Sequence, residues 1–176
     1  MNFATLSRMI ENLIRIGKIE EIDLSGKCCR VRTGNNLTNW LPWLTPRAGT
    51  TRTWNPPTVG EQVLVLSPSG ELAAGVVLTG LFSNTHPAPS SSGDEHITDY
   101  PDGARIAYNH VTGALEAVGI QTALVQASTQ VTIDCPSVHF TGNITVEGDV
   151  TASGISLVNH VHGGITPGGD NTGAPQ

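Results

Sequence analysis

The sequence predicts an all-β chain of two unlike parts. A small closed barrel preceded by one short helix comes first, and a C-terminal triple-stranded, intertwined β-helix, a needle made with two further copies, follows. Three observations carry this. Apolar content is 38% and aromatic content only 5% over 176 residues, too lean for one large globular core. Residues 18–82 contain short apolar stretches separated by closely spaced turn signals. From 119 to 157 the apolar residues keep a period of two, in pieces of a few residues, with Thr, Ser, Asn, Asp and Gly between them.

The elements follow in order. Phe3, Leu6, Ile10, Leu13 and Ile14 fall on one stripe of a helix expected over residues 2–16, with Arg15 in its last turn and Gly17 as its stop. Such a stripe must dock, either on its own barrel or on a neighbouring subunit. Strands are expected at Lys18–Leu24 and Lys27–Thr33 around a Ser25-Gly26 turn, and at Leu37–Leu44 after Gly34-Asn35-Asn36. A loop with Trp54 leads to strands at Gln62–Leu66 and Leu72–Phe82, separated by Ser67-Pro68-Ser69-Gly70. This count and spacing suggest a small closed barrel. Ser83–Glu95 is rich in Ser and Pro and reads as a linker. Pro101-Asp102-Gly103 then opens a hairpin, Ala104–Asn109 with Ala114–Val118.

Beyond Gly119, Val131, Ile133 and Cys135 share one parity. Val138 with Phe140, Ile144 with Val146, then Val150, Ile155 and Leu157 continue the series. One such chain has little to bury these residues against, and its short strands are unpaired edges. Three copies around one axis solve both problems: the apolar parity turns inward and each edge meets the next chain. The competing reading is an ordinary β-sandwich, which the lack of long strands disfavours.

Charge divides the chain in a similar place. Residues 1–90 carry eight Lys or Arg against six Asp or Glu, whereas residues 91–176 carry only Arg105 against nine acids. A C-terminal half so poor in cations is unsuited to neutralising phosphates, so no nucleic-acid partner is expected. No basic, apolar leader opens the chain and no run is long enough to span a bilayer, so synthesis in the cytoplasm is expected. Cys28, Cys29 and Cys135 have no framework spacing and read as plain strand residues.

His160-Val161-His162 is the main candidate for chemistry. In an extended chain, residues two apart point to one side. Three copies on an axis would then offer six imidazoles to one ion. Imidazole suits Fe, Zn, Ni and Cu, and zinc's preference for four ligands leaves iron expected ahead of nickel. A closed six-ligand shell has no open position, so the ion would be structural. His86, His96, His110 and His139 are expected to be solvated. Trp40, Trp43 and Trp54 read as core or inter-subunit packing more readily than as a binding surface, and Arg47 and Arg52 could meet a partner's carboxylates. Glu20-Glu21 and Asp94-Glu95 read as solvated charge, and no phosphate-cradling or nucleophile motif occurs, so an enzyme is not expected. A receptor-binding fibre tip would want an aromatic surface near the C-terminus, yet no Trp or Tyr follows Tyr108. A metal-dependent enzyme would want a general base beside the pair, where the only acid close after it is Asp170.

Several motifs together resemble one family. They are Thr38-Asn39-Trp40-Leu41-Pro42-Trp43-Leu44 with Arg47-Ala48-Gly49, and Arg52-Thr53-Trp54 leading to Pro57-Thr58-Val59-Gly60-Glu61-Gln62-Val63. Pro101-Asp102-Gly103-Ala104, His160-Val161-His162 and Thr172-Gly173-Ala174-Pro175 complete the set. The chain resembles, over nearly its whole length, the baseplate spike proteins (baseplate assembly protein V) of contractile-tailed phages and R-type pyocins. The resemblance implies a homotrimer with an N-terminal helix (1–17), an OB-fold barrel (18–86), a linker and β-hairpin (87–118), a triple-stranded β-helix (119–157) and a metal-binding apex (158–176). It implies one octahedral iron per trimer held by His160 and His162 of three chains, with room for further ions on the needle axis. The barrel would attach to the tail hub and baseplate proteins, and the needle would pierce the bacterial outer membrane when the sheath contracts. The expected location is a virion or pyocin tail baseplate, assembled in the host cytoplasm. Some phage spikes carry a lysozyme domain after the barrel; Ser83–Glu95 leaves no room for one here. The needle portion reads as shorter than in some relatives.

Overall fold

The computed structural model describes residues 2–164 and Gly168. The chain divides into two units, Met1–Ala123 and Leu124–Gln176.

The first unit opens with helix α1 (Phe3–Asn12). The Asn2 side chain caps it by accepting the Thr5 N–H at 2.8 Å, which satisfies one otherwise orphaned donor. Strands β1 (Ile14–Asp23), β2 (Cys28–Thr33), β3 (Asn36–Leu37), β4 (Leu41–Pro42), β5 (Gln62–Leu66) and β6 (Val76–Leu81) then form one antiparallel sheet. Its order is β3-β2-β1-β5-β6, and β4 also pairs with β2. The residues just after β4 return to the far edge: Trp43 bridges Val77, and the Leu44 N–H donates to the Val77 carbonyl at 2.8 Å. That contact closes the sheet into the expected barrel, which leaves no long free edge.

The core is small. Ile19, Cys29, Val31, Leu41, Val63, Val65 and Val77 are each no more than 1% exposed, and Ile22, Trp43 and Leu72 pack against them. Strand alternation supplies these residues: Ile19 and Val31 are cross-strand partners, as are Val65 and Val77. Buried Thr38 acts as a backbone surrogate, since its hydroxyl accepts the Val31 N–H at 2.9 Å.

The start of β1 corrects the expected helix. A helix over 2–16, and a helical segment over 1–17, give way to a helix ending at Asn12 and a strand starting at Ile14. Ile14 and Ile16, two apart, satisfy one face of a strand as readily as Leu13 and Ile14 satisfy a helical stripe, and pairing with β5 decides between them. Ile14 faces Leu66 and Ile16 faces Leu64 across that ladder. Gly17 is a buried strand residue rather than a helix stop, because β2 lies too close for a Cβ: one would sit 2.7 Å from the Arg32 carbonyl oxygen. Likewise, the expected Leu72–Phe82 strand begins with a single 3-10 turn, Leu72–Ala74, before β6. The long Leu37–Leu44 strand is two short ones separated by irregular backbone.

A second sheet of the same unit contains β7 (Glu95–Asp99), β8 (Arg105–Asn109) and β9 (Ala114–Val118) in that order. The β8–β9 hairpin follows the expectation, with Arg105 opposite Val118 and Asn109 opposite Ala114. Strand β7 begins at Glu95, the last residue of the expected Ser83–Glu95 linker. It pairs throughout with β8, and Asp99 holds Arg105 through two bonds of 2.6 and 2.9 Å.

In the second unit, residues 124–150 form no strand pairing within the chain, and every residue from 121 to 150 is exposed. The expected apolar series is therefore uncovered: Ile133 is 67% and Phe140 58% exposed. Among the described residues of this unit, only β10 (Thr151–Ala152) and β11 (Ile155–Ser156) pair, as a hairpin of two-residue strands. Its central residues, Ser153 and Gly154, have φ of 50° and 85°. That is the mirror-image turn whose twist suits a tight hairpin, and Gly154 adopts it without steric cost.

Candidate metal-binding apex

His160 and His162 follow the β10–β11 hairpin directly. The hairpin is tied off at its base. The Leu157 N–H donates to the Val150 carbonyl at 2.8 Å, and the Val158 N–H donates to Asp149 Oδ1 at 3.1 Å. The Ser156 hydroxyl and the Val158 N–H beside Asp149 hold its carboxyl below the usual range. Ser156 Oγ in turn accepts the Asn159 N–H at 2.8 Å, one residue before the first histidine.

The His160 ring is positioned by backbone. Its Nδ1 lies 3.1 Å from both the Ser156 and the Leu157 carbonyl oxygens. Two acceptors at one nitrogen require that nitrogen to carry the proton, which assigns the Nδ1–H tautomer and leaves the lone pair on Nε2. Carbonyl support of this kind is typical behind a metal-bound imidazole. The ring centroids of His160 and His162 are 5.1 Å apart, edge to face at 77°. The i, i+2 spacing does bring the two rings to one place.

Within one chain the described residues hold no group of three or more His, Cys, Asp or Glu side chains able to bind a metal. Two imidazoles are an incomplete shell, so an ion here would need further ligands. The donor set fits such an ion: neutral imidazoles suit iron and nickel, and the His160 tautomer has the correct nitrogen unprotonated. Asp170 and Thr172-Gly173-Ala174-Pro175 lie outside the described residues.

The other candidates are spread over the first unit. Trp43 packs on the barrel core, with the Trp54 ring 5.9 Å away on its outer side. Trp54 is 60% exposed, and Trp40 lies under the Arg30 guanidinium, 5.8 Å from centroid to carbon. Arg47 and Arg52 belong to a small excursion closed by the Thr53 N–H on the Arg47 carbonyl at 3.0 Å. Cys29 is buried in the core, where loss of solvent pushes its thiol up to about 11; it is inert packing. Glu20 and Glu21 are engaged by Arg32 and Arg30, not by each other. His86, His96, His110 and His139 are exposed. Sequence reasoning missed Asp149 and the hairpin it ties; the Ser153-Gly154 dipeptide was the available signal.

Comparison with known proteins finds one family model in each of the two units. Residues 15–82 match the model of the type VI secretion system/phage-baseplate injector OB domain. Residues 154–176 match the GpV apex motif, which begins inside the β10–β11 turn and includes both histidines. The spike protein of Escherichia phage P2 is 40% identical over 207 residues, covering 99% of this chain and 97% of that protein. The aligned span exceeds the 176 residues of this chain, so the P2 protein carries insertions relative to it. With an injector barrel at one end, an apex motif at the other and this relative spanning both, the chain belongs to the phage baseplate spike protein family.

Proposed function

We propose that three copies of this chain form the central spike of a contractile-tail baseplate, attached to the tail hub through the barrel and driven point-first through the bacterial outer membrane. The observation that carries the reading is the uncovered apolar series of residues 131–157. Val131, Ile133, Val138, Phe140, Ile144, Val146, Ile155 and Leu157 are all exposed in one chain, and residues 124–150 have no strand partner of their own. A chain that exposes this much apolar surface at strand period requires a partner, and a threefold winding of identical chains supplies one. Each fully buried side chain of this size contributes on the order of 1.5–3 kcal/mol.

In this reading the barrel is the attachment end. Phe3 and Ile10 on α1, with Ile14, Ile16 and Leu78 on the outer sheet face, remain exposed for neighbouring subunits or the hub. At the other end, His160 and His162 of three chains would hold one iron ion. When bound, the ion supplies a crosslink and no catalysis, because six imidazoles leave no open position. The clamp matters there because His160 and His162 are exposed and lie outside any core. Assembly takes place in the host cytoplasm before release of the particle. A stiff, metal-tied point concentrates the force of sheath contraction on a small area.

Analytical ultracentrifugation with metal analysis tests this. The expected result is a particle of three times the 18.5 kDa chain mass carrying about one iron per three chains. A monomer at micromolar concentration would overturn the trimer, and an iron-free trimer after gentle purification would overturn the clamp.

A further inference from the structure

We infer that Asp149 is a positioning residue for the metal-binding histidines, acting through the base of the β10–β11 hairpin. The inference rests on the reading of His160 and His162 as metal ligands. Asp149 lies eleven positions before His160 in sequence and does not touch it. Its carboxylate nevertheless closes the only paired element among the described residues of this unit. One oxygen, Oδ1, accepts the Val158 N–H at 3.1 Å.

The bonds that follow run from the hairpin base to the ring. The Ser156 hydroxyl oxygen accepts the Asn159 N–H at 2.8 Å. The turn from Ser156 to Asn159 is thereby closed, which aims the Ser156 and Leu157 carbonyls at one point. His160 Nδ1 sits at that point, 3.1 Å from each. Those two acceptors hold the Nδ1–H tautomer and fix the ring, so Nε2 is left to bind metal. Without Asp149 the hairpin keeps two short strands, a two-residue turn and the single Leu157–Val150 backbone bond in exposed surroundings. A hairpin of that size is marginal by itself. The carboxylate is thus the outermost support of the ligand set, and its effect on the ion is indirect.

The full-length protein tests this with Asp149→Ala, Asp149→Asn and Ser156→Ala, beside His160→Ala/His162→Ala. Iron content, release of iron to a chelator and the iron X-ray absorption spectrum are measured on each trimer. Asp149→Ala is expected to keep the trimer mass, release iron about tenfold faster or more, and alter the first-shell spectrum. Asp149→Asn keeps an oxygen for the Val158 N–H and should recover part of the loss; Ser156→Ala should fall between. Wild-type protein that neither carries nor takes up iron or nickel overturns the ligand reading and the role of Asp149 with it. Wild-type protein that binds metal, beside Asp149→Ala with unchanged release and spectrum, overturns the positioning role alone. A lower melting temperature with unchanged release and spectrum would mark Asp149 as merely structural and overturn it equally.

Discussion

At Gly17 the barrel closes so tightly that a Cβ would press on the Val31 side chain and sit 2.7 Å from the Arg32 carbonyl oxygen. Gly17→Ala should therefore cost about 1–3 kcal/mol, the usual range for overpacking, read as a lower denaturant midpoint. A value near zero would show that β1 and β2 can separate at no cost. The apex histidines behave differently, because they lie outside any core. His160→Ala/His162→Ala should abolish bound iron yet leave a trimer by ultracentrifugation, since the apolar series lies upstream of the pair. Collapse to monomers would place the main source of assembly at the tip. Acid acts on a third set of residues. The Arg32 guanidinium beside Glu20, the Ser25 hydroxyl and Gly26 N–H beside Asp23, and the Arg105 guanidinium beside Asp99 hold those carboxyls below their ordinary range. Groups with lowered folded-state values stabilise the fold above their unfolded values, near 4, and lose that contribution as pH falls through the folded values. The melting temperature should drop as pH falls below about 4. The drop should be modest because all of these groups are exposed. Added salt should weaken the parts due to Glu20 and Asp99 more than the part due to Asp23, whose partners are hydrogen bonds.

Among the elements, the β10–β11 hairpin joins a local turn rule to the candidate site. Gly154, at φ 85°, occupies the half of the mirror-image turn that a β-branched residue adopts only with strain. Gly154→Val should cost about 1–3 kcal/mol locally and be seen as faster hydrogen exchange at the Leu157 N–H, which bonds to Val150. Unchanged exchange there would mean the hairpin is held from elsewhere. Strand β1 shows the opposite limit of local reasoning. Leu13, Ile14 and Ile16 suit either a helix or a strand, and nothing nearby in sequence separates the two. The ladder to β5, nearly fifty residues away, does: it seats Ile16 opposite Leu64 and Gly17 opposite Val63. Where a turn signal and a clean alternation coincide, the reading needs no such help. Gln62–Leu66 and Ala114–Val118 have the limits expected from the sequence.

For the whole molecule the question is what covers the apolar parity of the second unit. Cys135 shares that parity with Val131 and Ile133 and is exposed in the single chain. In a wound trimer it faces the axis. Alkylation with iodoacetamide, followed by peptide mass spectrometry, should therefore leave Cys135 unmodified in the native assembly and modify it after denaturation. Rapid labelling of the native trimer would mean that this parity faces solvent. Cys29 provides the internal control, since burial in the barrel core protects it whatever the assembly. The spike family membership fits a division of labour in which the barrel contributes a stable single-chain fold and the second unit depends on its neighbours.

The sequence by itself determined the all-β class, the barrel's turn-bounded strands, the one-sided series and the meeting of His160 with His162. All of these follow from local rules: the period of two, the conformational demands of turns, and the shared face of residues two apart. Tertiary structure alone decided that Ile14–Gly17 is strand, that Glu95–Asp99 joins a sheet, that Trp43 closes the barrel on Val77, and that Asp149 ties the hairpin behind His160. Each of these depends on a partner distant in sequence or on a side chain's reach. A short apolar run satisfies more than one local pattern, and only the partner it meets in the fold chooses between them.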